Sequence, residues 1–154
     1  MTRVGVISDT HGLMRPEALE CLRSRGVQHI LHAGDVGSEE VLRALRDVAP
    51  TVAVRGNADP RGEPWAAALP LARRLGIDGK NIYLLHELKG FDLGPAVGMD
   101  VVIFGHTHVP SVERQGAVLR LNPGSAGPDR FPHPVTLAIL ELEGPRPEAE
   151  IVYL

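Results

Sequence analysis

The sequence predicts an α/β fold: a four-layer α/β-β/α sandwich of two mixed sheets packed face to face with helices outside. Two observations lead there. The first half alternates short apolar runs with helical patterns, and the second half replaces the helices with hairpin signals. No repeat, low-complexity tract or linker interrupts the chain, so residues 1–154 are expected to form a single domain.

Val4–Ile7 reads as a strand and Pro16–Arg25 as a helix with proline at its first position. His29–His32 is a second strand. Ser38 is placed to cap the next helix, which carries Glu39 and Glu40 in its first turn and apolar Val41, Leu42, Leu45 and Val48 at helical spacing. Thr51–Val54 is a third strand, and this β-α-β-α-β order predicts parallel strands joined by crossovers. Beyond it, Leu71–Ile77 and Asn81–Leu85 flank Asp78-Gly79, a hairpin signal. Val101–Phe104 is continuously apolar, as a buried strand is. Val112–Arg114 and Val118–Leu121 flank Gln115-Gly116, and Val135–Leu142 and Ile151–Leu154 flank a Gly/Pro turn. Gly90–Met99 is too glycine-rich to assign, and Asn122–Pro134 reads as a loop between strands.

An apolar fraction of 44% and a charged fraction of 23% are those of a globular protein with a real core. The net charge of −3 gives no global electrostatic case for nucleic acid or an anionic membrane. No run of about 18 apolar residues is present, and Met1-Thr2-Arg3 leads straight into the first strand, so a cytoplasmic protein is expected. The lone Cys21 lies in an amphipathic helix and reads as a buried structural thiol. Trp65 is expected to pack internally rather than line a cleft or an oligomer contact; a homo-oligomer is compatible with the sequence.

Function is legible in the residues just past each strand. The first strand runs into Asp9 and His11, the second into Asp35, the third into Asn57 and Asp59, Asn81–Leu85 into His86, and Val101–Phe104 into His106 and His108. Ligands of open α/β sheets bind at the carboxyl edge, so these groups are expected to converge on one crevice. Carboxylate, imidazole and carboxamide without thiolate suit Mn, Fe, Zn, Co or Ni, and are too nitrogen-rich for Ca or Mg. The set exceeds the four ligands of a structural zinc and suffices for two ions if one carboxylate bridges.

The ordered blocks D-x-H, G-D, G-N-x-D, H and G-H-x-H resemble the calcineurin-like metallophosphoesterase superfamily. The short chain, L-P before the first hairpin, and Asn122-Pro123-Gly124-Ser125 are similar to its small bacterial and archaeal phosphodiesterase branch. The resemblance implies a hydrolase with two divalent metal ions, Mn first among the candidates. Asp9, His11, Asp35 and His108 would hold one ion, with Asp35 bridging, and Asn57, His86 and His106 would complete the second. A metal-bridging hydroxide would attack the phosphorus of a small phosphodiester, with Asn57 also touching a phosphate oxygen. Two ions, two aspartates and a hydroxide leave roughly one positive charge to face the substrate.

Two positions depart from the pattern. Ala58 stands where the superfamily's phosphatases have a histidine that protonates the leaving group, and Glu87 stands where the branch commonly has glycine. An inward Glu87 would cancel the residual charge; an outward one is a loop charge. Asp59 reads as a hydrogen-bonding support rather than a ligand. Arg55 and Arg130 are candidates for a phosphate oxygen, or else solvated surface residues; Arg130 matches an arginine of the branch. His29 and His32 lie within a strand and are expected to be satisfied core or cross-strand residues, and His133 a solvent-exposed one. The rival functions are a phosphomonoesterase and a non-catalytic scaffold on the same fold.

Overall fold

The computed structural model describes residues 2–88 and 98–154. The first half forms β1 (Arg3–Ile7), α1 (Pro16–Ser24), β2 (His29–His32), α2 (Glu39–Arg46), β3 (Thr51–Ala53) and a short α3 (Pro64–Ala67). Among the described residues the second half contributes strands: β4 (Ala72–Ile77), β5 (Lys80–Leu85), β6 (Val101–Ile103), β7 (Ser111–Gln115), β8 (Val118–Asn122), β9 (Thr136–Glu141) and β10 (Glu148–Tyr153).

Two five-stranded sheets result, ordered β10-β9-β1-β2-β3 and β4-β5-β6-β8-β7. Both are mixed. In the first, β1, β2 and β3 run parallel while β9 is antiparallel to both β1 and β10. In the second, β5, β6 and β8 run parallel, edged by antiparallel β4 and β7.

Period-two alternation assigns each side chain to a layer. Val4, Val6, Leu31, Ala138 and Leu140 of the first sheet meet Ile82, Leu84, Val101, Ile103, Leu119 and Leu121 of the second in one dry core. The opposite faces of the same strands carry Ile7, Ile30, Leu137 and Ile139, which pack against Ala18 and Leu22 of α1 and Val41, Leu42 and Leu45 of α2. Among the described residues, the helices therefore cover the outer face of the first sheet. No described helix is long and apolar enough to cross a membrane.

Several local expectations need correction. Ser38 occupies the N-cap position of α2 in an extended conformation, but its hydroxyl makes no capping bond. That helix stops at Arg46, and Val48 packs against the outer core from the following turn. In the β7–β8 hairpin Gln115 still pairs with Val118, so the turn is Gly116-Ala117, one residue later than the sequence suggests. The β4–β5 turn does fall on Asp78-Gly79, both at positive φ (51° and 77°), as a type I′ turn requires. The α3 turn, begun by Pro64, is an addition to the expected elements; its Trp65 packs against the outer core as expected. Cys21, expected to be buried, is half-buried, and desolvation raises its thiol pKa. Most of Gly90–Met99 lies outside the described residues.

Candidate metal centre

Every candidate ligand sits just past the carboxyl end of a strand: Asp9 and His11 after β1, Asp35 after β2, Asn57 after β3, His86 after β5, and His106 and His108 after β6. Because β1, β2 and β3 are parallel to one another, as are β5 and β6, each sheet delivers its set to one edge. The two edges meet. Asp9 and Asp35 come from one sheet and His86 and His108 from the other, yet His86 Nε2 is 3.3 Å from Asp35 Oδ2, and His108 Nε2 is 3.3 Å from Asp9 Oδ1.

The loops that carry these groups are strained. Among the described residues, Asp9, His11, Asp35, His106 and His108 adopt positive φ between 46° and 73°; the other non-glycine case is Asp78, in its hairpin turn. Each such residue costs on the order of 1–3 kcal/mol and persists only where its surroundings hold it. Here the loops brace one another: Asp9 N–H donates to the Gly34 carbonyl (3.0 Å), His11 N–H to that of Asp35 (2.9 Å), and Gly105 N–H to that of His86 (2.9 Å). Glycines make this approach feasible. A Cβ on Gly56 would lie 2.2 Å from the Asp35 backbone nitrogen, and one on Gly105 2.1 Å from Ser8 Oγ.

Each aspartate is anchored by one oxygen and presents the other. Asp9 Oδ2 accepts from Ser8 Oγ (2.7 Å) and from the His106 N–H (3.1 Å). Its Oδ1 is buried without a hydrogen-bond partner, and lies 3.8 Å from His11 Nε2 and 4.0 Å from His86 Nε2. Asp35 Oδ1 accepts from the Ala58 N–H (2.8 Å), leaving Oδ2 3.6 Å from His11 Nε2 on one side and facing His86 on the other. His86 donates Nδ1–H to the Ala33 carbonyl (2.8 Å), which aims Nε2 into the crevice. There it faces Asn57 Oδ1 at 2.8 Å, and His106 Nδ1 faces the same oxygen at 3.2 Å.

These contacts set the protonation behaviour. Burial opposes charge on His86, but the hydrogen bond and charge of Asp35, together with Asp9, outweigh it and raise its pKa. Burial likewise opposes ionisation of Asp35, but His86, the Ala58 N–H and His11 prevail and lower its pKa. Burial lowers the pKa of His108, helped by Arg130, His11 and His133 against Asp9, which favours the neutral form a metal needs. Lone pairs that converge on a buried, partnerless Asp9 Oδ1 and His11 Nε2 repel one another unless a cation lies among them. Among the described residues two overlapping sets meet that description: Asp9, His11 and His108, and Asp9, Asp35 and His86. The donor chemistry fits divalent metal.

Supporting residues surround these ligands. Asp59 is buried and accepts from the Gly37 N–H (2.9 Å) and the Gly56 N–H (2.8 Å), tying the loop after β2 to the loop after β3. His32 is a satisfied core residue: Nδ1 accepts from the Gly34 N–H (3.1 Å) and Nε2–H donates to Thr10 Oγ1 (3.0 Å). His29 is half-buried in β2. His133 departs from expectation, being half-buried with its ring 6.5 Å from that of His108. Arg130 is exposed at the same rim, and Arg55 lines a cleft beside Asn57 and His86. Glu87 Oε1 lies 3.6 Å from His106 Nε2, so its carboxylate is turned toward the site.

The sequence marks Asn122-Pro123-Gly124-Ser125 as a motif but not its role, which is to clamp the Asp9 and His106 loops. Ser125 Oγ donates to the Asp9 carbonyl (3.0 Å), and a Cβ on Gly127 would sit 2.4 Å from the same oxygen. Asn122 Nδ2 bonds the Gly105 carbonyl (3.2 Å) and Thr107 Oγ1 (3.0 Å), joining the Asn-Pro-Gly-Ser turn to the histidine loop. Small polar residues in a Gly/Pro loop carry no signal of such contacts in their spacing.

A family model described as the calcineurin-like phosphoesterase superfamily domain matches residues 2–144. The chain belongs to that superfamily. Among its relatives, a probable metallophosphoesterase of Methanothermobacter thermautotrophicus is 35% identical, the alignment covering 97% of this chain and 91% of the relative. The phosphodiesterase YfcE of Escherichia coli is 27% identical over 92% of this chain and 88% of its own length. Among solved structures, an archaeal phosphodiesterase superposes with a TM-score of 0.85 at 25% identity, covering 99% of this chain and all (100%) of that one. Vps29 of Entamoeba histolytica, solved with zinc, shares the fold with a TM-score of 0.75 at 23% identity, over 99% of each chain.

Proposed function

We propose that the protein is a dinuclear metal-dependent phosphoesterase that prefers small phosphodiesters. The observation that supports this best is the pair of aspartates, each anchored through one oxygen and offering the other to histidines from the opposite sheet. In this reading Asp9, His11, Asp35 and His108 hold one ion and Asn57, His86 and His106, with Asp35, the second. Asp35 Oδ2 is 3.6 Å from His11 Nε2 and 3.3 Å from His86 Nε2, which supports a bridging role for it. Manganese-class ions bound there would lower the pKa of a coordinated water for in-line attack and polarise the phosphoryl group.

The chain's own residues supply the rest. Asn57 orients a phosphate oxygen, and the Ala33 carbonyl fixes the His86 ring. Ala58 contributes a backbone N–H to Asp35 but no side chain that can protonate a leaving group. General acid catalysis typically supplies about 10²–10⁴-fold, so rates should fall steeply as the leaving group becomes more basic. The test is a screen of manganese-reconstituted protein against cyclic nucleotides, dinucleotides, and nitrophenyl mono- and diesters. Diester turnover exceeding monoester turnover is expected. A preference for monoesters would favour a phosphomonoesterase, and no turnover of any ester would remove the catalytic reading altogether.

A further inference from the structure

Beside the candidate metal centre, on the side of His86 and Asn57, lies a cleft of about 340 Å³. Arg55, Arg61, Glu87 and Leu71 line it together with those two ligands. Its volume falls at the lower end of small-ligand sites and exceeds what a lone phosphate fills. Whatever ester reaches the metals has room here for a further group. The lining states what that group is.

Arg55 is half-buried, and its backbone is pinned by its N–H to the Pro70 carbonyl (2.8 Å). Among the described residues, neither Arg55 nor Arg61 gives its guanidinium to a carboxylate or a carbonyl. Elsewhere Arg25 pairs with Glu150 at 2.6 Å, Arg43 with Glu39 at 3.3 Å and Arg3 with Glu141 at 3.4 Å. Glu87, the acid of this cleft, has Oε1 3.6 Å from His106 Nε2, so it lies toward the histidine side of the rim. The lining thus carries two arginines without a described acidic partner beside a single acid, and guanidinium groups match the oxygens of phosphate or carboxylate. Leu71, largely exposed at 59%, adds an apolar patch to the lining.

We infer that this cleft binds a second anionic group of the substrate, a phosphate or carboxylate set apart from the phosphate held at the metals. The inference rests on the phosphoesterase reading above and narrows its substrate class to esters that carry two anionic centres. The test compares inhibition of bis(p-nitrophenyl) phosphate hydrolysis by thymidine 5′-monophosphate and by thymidine 3′,5′-bisphosphate, which offers the metals either phosphate. The bisphosphate should inhibit with a Ki lower by about ten-fold or more, as expected for charge-assisted hydrogen bonds. In Arg55→Ala/Arg61→Ala that ratio should collapse to about one with metal content unchanged. Leu71→Ala, which alters the same cleft without touching charge, should retain it. Equal Ki values in the native protein, or a ratio that survives loss of both arginines, would overturn the inference. Should no ester be hydrolysed, the phosphoesterase reading fails separately, and calorimetric titration of the metal-loaded protein with the same two nucleotides gives the same ratio.

Discussion

An aspartate anchored by one oxygen and turned toward histidines with the other is the unit from which this site is built. Asp35 spends Oδ1 on the Ala58 N–H and keeps Oδ2 between His11 and His86. Asp35→Asn should therefore cost more than any single histidine-to-alanine change, with loss of the second ion and nearly all turnover. Near-normal metal occupancy in that variant, measured by elemental analysis, would mean that the bridge is another residue. His32 makes a different kind of prediction. Its Nδ1 is committed to accepting from Gly34, and burial, with the nearby His86, lowers its pKa to about 3. Unfolded, it would bind a proton near pH 6.5. Between those values the unfolded chain holds a proton that the native chain excludes. Stability from this group is therefore complete above pH 6.5 and falls below it, by up to about 1.4 kcal/mol per pH unit. Urea unfolding of the native protein and of His32→Gln should diverge in slope between pH 6.5 and pH 5; parallel pH profiles would refute the assignment.

The elements matter because they end where they do. Strand register brings the groups after β1, β2, β3, β5 and β6 to one crevice, and this was legible in the sequence: each apolar run is succeeded at once by a potential ligand. So were the parallel half, the Asp78-Gly79 hairpin and the buried β6. The bracing of the loops was not. Positive φ at Asp9, His11, Asp35, His106 and His108 arises from contacts between loops distant in sequence, which no local propensity encodes. Nor could periodicity tell whether Ser38 would bond its helix, or whether the second hairpin would turn on Gln115-Gly116 or one residue on. Glu87 was ambiguous for the same reason, since its direction depends on where β6 delivers His106. The bracing is testable at Gly56, where an added methyl would meet Asp35 Oδ1 at 2.1 Å and the Asp35 nitrogen at 2.2 Å. Backbone cannot yield as a side chain can, so Gly56→Ala should destabilise the fold by about 1–3 kcal/mol or more. It should also weaken metal binding by about 10–100-fold, as loss of ligand support does. Native-like thermal stability and metal affinity in Gly56→Ala would show that the loop has slack the geometry denies.

At the scale of the whole molecule, the two sheets do separate jobs. Each supplies part of the ligand set: the first sheet carries both aspartates, and the second carries three of the four histidines in the candidate set, His86, His106 and His108. The site therefore exists only when the core between the sheets is formed, and metal binding should stabilise the native packing against unfolding. The chain's net charge of −3 poses no obstacle to an anionic substrate. Divalent ions bound at the seam, with Arg55 and Arg61 beside them, would offset Asp9, Asp35 and the inward Glu87 and so admit an anion. Catalysis as proposed requires the seam to activate water with two ions rather than one. Titrating the metal-free protein with manganese while following bis(p-nitrophenyl) phosphate hydrolysis tests this directly. Turnover should rise to a plateau at about two ions per chain. A plateau at one ion, or no turnover at any ratio with the fold intact, would contradict it.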